Sequence, residues 1–136
     1  MIKPIMKSEF FLRLPSEDAG PDDAATGQDL LDTLLEHEHE CVGLAANMIG
    51  VRKRIICVKD GNRALLMYNP QILEQVNAYQ TSEGCLSLSG ERPCTRYRRI
   101  KVEYLDENFV HRIKNFSGYT AEIIQHEIDH CCGIVV

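Results

Sequence analysis

Two histidines four positions apart stand near the end of the sequence, in the run His126-Glu127-Ile128-Asp129-His130. On a helix, their imidazoles lie one turn apart on the same face. They could bind one metal ion at about 2.0–2.1 Å from each ring nitrogen, with Glu127 beside them as a general base. The run is short and arises by chance, so by itself it favours a metal site no more than a solvated helix.

A second block provides a third ligand for such an ion. The run Glu83-Gly84-Cys85-Leu86-Ser87 contains a thiol, and a Cys85 thiolate would bind the ion at about 2.3 Å. Three protein ligands leave a fourth tetrahedral position for water, which is typical of catalytic metal sites. The two blocks together therefore predict a metal-dependent enzyme.

The elements that must position these residues follow from periodicity and turn signals. Leucines on one face predict an amphipathic helix from Thr26 to about Glu40, with Thr26 and Asp29 as a capping box. A last helix is predicted from Gly118 to Cys132, ending at Gly133, and it carries both histidines.

Two antiparallel strand pairs are predicted between these helices. An Asp60-Gly61 turn joins the first pair, Asn69-Pro70 ends it, and an Asp-Glu-Asn turn joins the second. The strands are Arg54–Lys59 with Ala64–Tyr68, and Ile100–Tyr104 with Phe109–Lys114. Strands in the middle and helices at both ends, without βαβ alternation, predict an α+β fold.

Length and composition limit the possible domain organisation, partners and cellular location of the protein. The 136 residues are 44% hydrophobic and carry 15 basic against 20 acidic side chains, a net charge of −5. The length predicts one domain over residues 1–136, and the acidic balance favours neither nucleic acid nor anionic lipid as a partner. No uncharged stretch has the length of a membrane span, and the N-terminus lacks a secretion signal, so we expect a cytoplasmic protein. Its six cysteines are expected as thiols, most of them buried.

Both chemical blocks also resemble a known family. The peptide deformylases, metal-dependent enzymes that remove the formyl group from the N-terminal methionine of new bacterial proteins, share E-G-C-hydrophobic-S and H-E-hydrophobic-D-H in this order. Val42 to Asn47 match the family's first block, but Met48 replaces its final glutamine and Cys41 its first glycine. The resemblance implies antiparallel strands packed around a C-terminal helix that bears the metal.

The resemblance also assigns the catalytic roles. It implies that Cys85, His126 and His130 bind the metal and that Glu127 handles the proton of the metal-bound water. The backbone N–H of Leu86 would hold the oxyanion, together with the glutamine amide that this chain lacks. A thioether such as that of Met48 donates no hydrogen bond, and Asn47, one position along an extended segment, would point to the opposite side.

Substrate contacts and supporting residues are implied less directly. Val42, Gly43 and Leu44 would contact the substrate main chain and form the methionine pocket, and Arg92 matches a substrate-contacting arginine of the family. Two carboxylates would support the site from behind: Glu83 would orient the loop that carries Cys85, and Asp129 would pair with Arg96 to fix the helix.

Cofactor and partners follow from the same resemblance. It implies one divalent ion, with Fe²⁺ as the native candidate and Zn²⁺, Ni²⁺ or Co²⁺ also accommodated by the ligand set. The expected partners are N-formylmethionyl peptides. A transient ribosome encounter is left open, because some members make it through segments beyond the position of Val136. Alternatives are a metal-binding paralogue that holds peptide ends without turnover, a zinc peptidase, and a redox or metal sensor.

Overall fold

A five-stranded antiparallel sheet forms the centre of the computed structural model, which describes residues 1–136. Each strand pairs with its neighbours in the chain, in the order β1-β2-β3-β4-β5. The strands are β1 Gly43–Ala45, β2 Ile55–Asp60, β3 Arg63–Glu83, β4 Arg92–Leu105 and β5 His111–Ser117. The helices are α1 Glu9–Leu12, α2 Ala24–Glu36 and α3 Gly118–Cys131, with 3₁₀ turns at Pro21–Asp23 and Ala46–Ile49. The predicted α+β class is confirmed, and no helix is long and apolar enough to span a membrane.

The hairpin of β2 and β3 follows the predicted turn. Asp60 pairs with Arg63 across it, and Gly61 adopts a φ of +63°, the left-handed conformation that glycine reaches without strain. β2 is buried from Ile55 to Val58 because both α2 and α3 pack against it. This strand is therefore the middle of the hydrophobic core.

β3 does not end at Asn69-Pro70, as its sequence predicts, but continues to Glu83. The pairing with β4 skips from Tyr68–Leu105 to Gln71–Glu103, so a bulge places the proline where the ladder needs no N–H donor. Asn69 takes a left-handed φ of +53°, and its side-chain amide bonds both backbone groups of Ala19. The bulge thus replaces the predicted stop.

α2 is shorter and begins earlier than predicted. It starts at Ala24 and ends at Glu36, and Asp29 lies inside it, where its carboxylate binds the N-terminal ammonium at 2.9 Å instead of capping the helix. Leu30 and Leu34 are fully buried as expected, but Leu35 is exposed. The predicted last helical turn, residues 37–40, forms non-helical turns instead, and its residues 38–40 form one wall of the cleft described below.

α3 agrees closely with its prediction. It begins at Gly118, ends at Cys131, and is followed by Gly133 at a φ of +76°. Its buried face, which includes Ala121, Ile124 and Ile128, packs on β1, β2 and β4. All six cysteines are free thiols as expected, but only Cys57 and Cys131 are buried and Cys132 is exposed.

Candidate active site

Two histidines converge on one point at the buried side of α3. His126 Nε2 and His130 Nε2 lie 3.2 Å apart, and the two residues are 7% and 0% exposed. Two ligand nitrogens at about 2.05 Å from one ion, at a tetrahedral angle, would be roughly 3.3 Å apart. The observed spacing therefore fits a shared metal ion.

The second nitrogen of His126 is fixed by Glu83 at the end of β3. Its Nδ1 lies 2.8 Å from Glu83 Oε1, which leaves Nε2 free to bind a metal ion. In many metal sites a carboxylate orients the histidine ligand in this way. The Nδ1 atom of His130, by contrast, is buried without a hydrogen-bond partner. Glu83 thus contacts a metal-ligand candidate directly, which goes further than the loop-orienting role expected for it.

Arg96 joins two carboxylates behind this pair. Its guanidinium donates to Glu83 Oε1 and to Asp129 Oδ2, each at 2.7 Å, and the side chain is almost fully buried. Burial raises the pKa of Glu83, but hydrogen bonds from His126 and Arg96 outweigh burial and hold that pKa far below its usual range. The contact between Asp129 and Arg96 was expected from the sequence. The contact between Arg96 and Glu83 was not.

Cys85 lies half-buried in the loop between β3 and β4 and lines the same cleft. Burial raises its pKa, but hydrogen bonds with His126 and with the backbone of Leu88 and Ser87 lower it below the usual value. Three residues place potential metal-binding atoms within 4.8 Å of one another: His126, Glu127 and His130. Cys85 is outside that tight group but next to His126, and its lowered pKa favours the thiolate that a metal needs.

Glu127 is buried between the histidines and faces the cleft. It is 3% exposed, and its Oε1 atom has no hydrogen-bond partner. Burial raises the pKa of this carboxyl to about 7, although the neighbouring His126 acts in the opposite direction. A carboxyl that titrates near neutral pH is suited both to accept and to donate a proton.

The cleft in front of these groups has a volume of about 720 Å³. It lies between the segment 38–43, the loop 84–91 and α3. Of the residues expected to contact substrate, Val42 and Gly43 line it, and so does Leu86, whose N–H is expected to hold the oxyanion. Leu44 is fully buried in the core instead, and Arg92 does not line the cleft but lies 3.4 Å from Glu9 Oε1. Cys41, which replaces the first glycine of the family's opening block, is half-buried and lines the cleft, and burial raises its pKa to about 11.

The segment after β1 departs from expectation. Residues 46–49 form a 3₁₀ turn, not an extended strand, and Asn47 Nδ2 donates to the backbone oxygen of His130 at 2.9 Å. This amide is therefore committed to the α3 backbone. Met48 is buried, its Sδ atom lies 3.5 Å from the N–H of Ala45, and it does not line the cleft. Nothing in the sequence signalled the Asn47 contact, because it joins residues that are 83 positions apart.

Comparison with known proteins assigns the chain to a family. The model of the polypeptide deformylases matches residues 4–136. The chain belongs to this family. It is 51% identical to a peptide deformylase of Clostridium beijerinckii over 136 residues, which is 100% of both chains. It is 38% identical to peptide deformylase 1 of Clostridium perfringens over 111 residues, covering 79% of this chain and 74% of that one.

Solved deformylase structures share the fold. The actinonin-bound class I type b peptide deformylase of Acinetobacter baumannii superposes with a TM-score of 0.87 at 31% identity, covering 99% of this chain and 95% of that one. The peptide deformylase of Thermotoga maritima gives a TM-score of 0.89 at 28% identity, with the same two coverages. The predicted family, fold and enzyme class, peptide deformylase, are thereby confirmed, and the family is metal-dependent.

Proposed function

We propose that this chain hydrolyses the N-formyl group of formylmethionine at the start of nascent peptides, with one divalent ion held by Cys85, His126 and His130. The observation that carries the proposal is the 3.2 Å convergence of the two Nε2 atoms beside the buried, unpartnered Glu127. This arrangement faces a cleft large enough for a peptide. A nascent-chain substrate implies that the reaction takes place in the cytoplasm.

Glu127 moves the proton in this reaction. A divalent ion, when bound, lowers the pKa of a water molecule and polarises the formyl oxygen. In the hydrolysis the water oxygen adds to the formyl carbon, and the C–N bond breaks to give formate and the free amine. Glu127 would take the proton of the water and deliver it to the leaving amine of methionine. Burial raises the pKa of this carboxyl in the metal-free protein, and the charge of a bound divalent ion would act in the opposite direction.

The oxyanion is held on the protein side by the backbone N–H of Leu86. Met48 has no donor to add, and the amide of Asn47 is bonded to His130 O. The loss of one oxyanion donor costs roughly 10²–10³ in turnover in another hydrolase. We therefore expect slow turnover, because the residues around the formyl oxygen supply one donor fewer than the family's pattern.

The substrate main chain lies along Val42 and Gly43. β1 is an edge strand of the sheet, so the backbone groups on its open side are free to pair with an extended peptide. A peptide is bound in a relative, the Met-Ala-Ser complex of the Acinetobacter baumannii enzyme, which is 29% identical with a TM-score of 0.88 and coverages of 99% and 97%. Leu44 acts from the core by supporting this strand. Arg92 has to leave Glu9 before it contacts a substrate.

The native ion in this proposal is Fe²⁺. A thiolate and two imidazoles also accommodate Zn²⁺, Ni²⁺ or Co²⁺, so the donor set alone does not select the metal. Metal analysis of protein purified without oxygen, followed by activity measurements after reloading with each ion, identifies the working cofactor. A transient ribosome encounter is a separate question that co-sedimentation with ribosomes addresses.

Turnover of formyl-Met-Ala-Ser by metal-loaded protein tests the proposal. Free amine should appear with time, and the matched variant Glu127→Gln, which keeps the shape of the side chain but removes the base, should release almost none. Equal signals from both proteins would refute the proposal, and peptide binding without turnover would favour a binding-only paralogue. Met48→Gln should raise the rate if the new amide turns from Ala45 towards the formyl oxygen, since Met48 itself does not line the cleft. An unchanged rate in a folded variant would refute the account of the missing donor.

A further inference from the structure

The loop that carries Cys85 and Leu86 is not held by backbone pairing. Residues 84–91 belong to no helix or strand, and none of them takes part in a backbone–backbone hydrogen bond. In the proposed function, the N–H of Leu86 is the donor that the protein supplies to the formyl oxygen, so the direction of this N–H matters. Contacts other than backbone pairing therefore have to fix the loop.

One such contact comes from the N-terminal arm, residues 1–7, which precedes α1. Lys7 Nζ donates to the backbone oxygen of Leu86 at 2.8 Å, although the two residues are 79 positions apart. A hydrogen bond from an ammonium group is stronger than one between neutral partners. The arm thus reaches the residue that is expected to hold the oxyanion.

Lys7 is presented from a fixed backbone. On one side of it, Met6 N donates to the backbone oxygen of Met48 at 2.7 Å. On the other side, Ser8 caps α1 by accepting a hydrogen bond of 3.2 Å from Phe11 N. Because both neighbours are anchored, the contact with the loop requires the ordering of one side chain only.

The peptide group between Leu86 and Ser87 is bonded at both ends. Its oxygen accepts from Lys7, and its N–H, which belongs to Ser87, donates to Cys85 Sγ. A donor on the oxygen polarises a peptide group and strengthens the hydrogen bond that its N–H makes. This peptide plane therefore cannot rotate without breaking a hydrogen bond.

The N–H of Leu86 lies between two anchors along the chain. Cys85, which contacts His126, precedes it, and the peptide plane held by Lys7 follows it. Donors that are held in place before the reaction stabilise developing charge without a cost of reorganisation. Since Met48 adds no second donor, the protein's share of this stabilisation depends on the direction of one N–H.

We propose that Lys7 is a positioning residue for the hydrolysis, because its bond to Leu86 O keeps the Leu86 N–H directed at the formyl oxygen. This inference rests on the proposed function and assigns a further residue to the same site. Lys7 lines a neighbouring hollow and not the cleft, so it does not touch the substrate. Its effect passes through Leu86, which lines both cavities.

Steady-state kinetics on formyl-Met-Ala-Ser separate positioning from substrate binding. Lys7→Met keeps the apolar stem and removes the donor, so it should lower kcat about three- to tenfold, the range for one lost hydrogen bond, and leave KM within about twofold. Lys7→Arg restores a donor and should keep at least about half of the wild-type kcat. An unchanged kcat in Lys7→Met, or a rise in KM alone, would overturn the proposal.

Lys3→Met is the matched control. It removes the same charge from the same arm, but Lys3 Nζ lies 3.9 Å from Asp29 on α2 and not at the loop. Its kcat and KM should be those of the wild type. A loss of kcat as large as that of Lys7→Met would mean that the charge of the arm matters and the contact with Leu86 does not, which contradicts the assignment.

Backbone dynamics test the contact without turnover. Order parameters from ¹⁵N relaxation of zinc-loaded protein should be about 0.85 for the amides of Leu86 and Ser87 in the wild type and in Lys3→Met, and should fall towards about 0.6 in Lys7→Met. Unchanged order parameters in Lys7→Met refute the proposal, whatever its kinetics. If the wild type hydrolyses no formylated peptide, the proposed function fails, and this measurement still decides whether Lys7 fixes the Leu86 N–H.

Discussion

At Gly43, the addition of a single methyl group should displace the carboxylate of Glu127, the proposed general base. A Cβ atom added there would lie 2.7 Å from Ile123 Cγ2 and 2.9 Å from Glu127 Oε2. Ordinary contacts of such atoms begin at about 3.4 Å, so Glu127 must retreat by about half an ångström. Gly43 itself cannot easily move, because β1 is paired with Val58 and its neighbours in β2.

Gly43→Ala should lower both the stability of the protein and its catalytic rate. Overpacking of a tight site costs about 1–3 kcal/mol of unfolding free energy. Misplacing a reacting group by about 1 Å costs roughly 10²-fold in rate, so Gly43→Ala should lower kcat by about ten- to a hundredfold. The comparison is Gly20→Ala, where the added methyl group meets nothing within 4 Å.

Steady-state kinetics on formyl-Met-Ala-Ser, metal content and urea denaturation together decide the outcome. Gly43→Ala should retain its metal, because the contact falls on Glu127 and not on the ligand nitrogens. A folded, metal-loaded Gly43→Ala protein with the kcat of the wild type would refute the reasoning. So would a rise in KM at constant kcat, since that result would mean that the strand moved and the carboxylate did not.

Three further predictions concern Arg96, Glu127 and Cys85. Arg96→Met should lower the unfolding free energy by about 3–5 kcal/mol in urea denaturation, because Glu83 loses its buried partner; a change below 1 kcal/mol would contradict this. In metal-free protein, burial raises the pKa of Glu127 from 4.5 to about 7, so its contribution to stability is present below pH 4.5 and is lost as the pH rises through 7. Glu127→Gln should therefore gain stability relative to the wild type over that range, and a constant difference between the two proteins would argue against it. Cys85→Ser should reduce the metal bound per chain after dialysis, while the circular dichroism spectrum stays that of the wild type; full metal retention would remove Cys85 from the ligand set.

Local signals in the sequence predicted the helix that carries the chemistry. The spacing of His126 and His130, the start at Gly118 and the stop at Gly133 all lie within one element, so α3 and its two imidazoles follow from helical periodicity. The hairpin at Asp60-Gly61 is equally local. These features need no knowledge of the rest of the fold.

Features that depend on strand register or on tertiary contacts could not be predicted from the sequence. The bulge that carries β3 past Pro70 depends on its pairing with β4, and the Arg96–Glu83 contact depends on how the same two strands align. Leu44 was expected at the substrate, but the short β1 buries it in the core. Propensity and spacing say which residue types are present, whereas strand alignment decides which of them meet.

The link from Arg96 to both Glu83 and Asp129 fastens the far end of the long β3–β4 hairpin to α3 with protein atoms alone. Such a fastening keeps the hairpin loop with Cys85 near the histidine helix before any ion arrives. We therefore expect a metal ion to exchange at a site that stays assembled, so that the protein does not refold around each new ion.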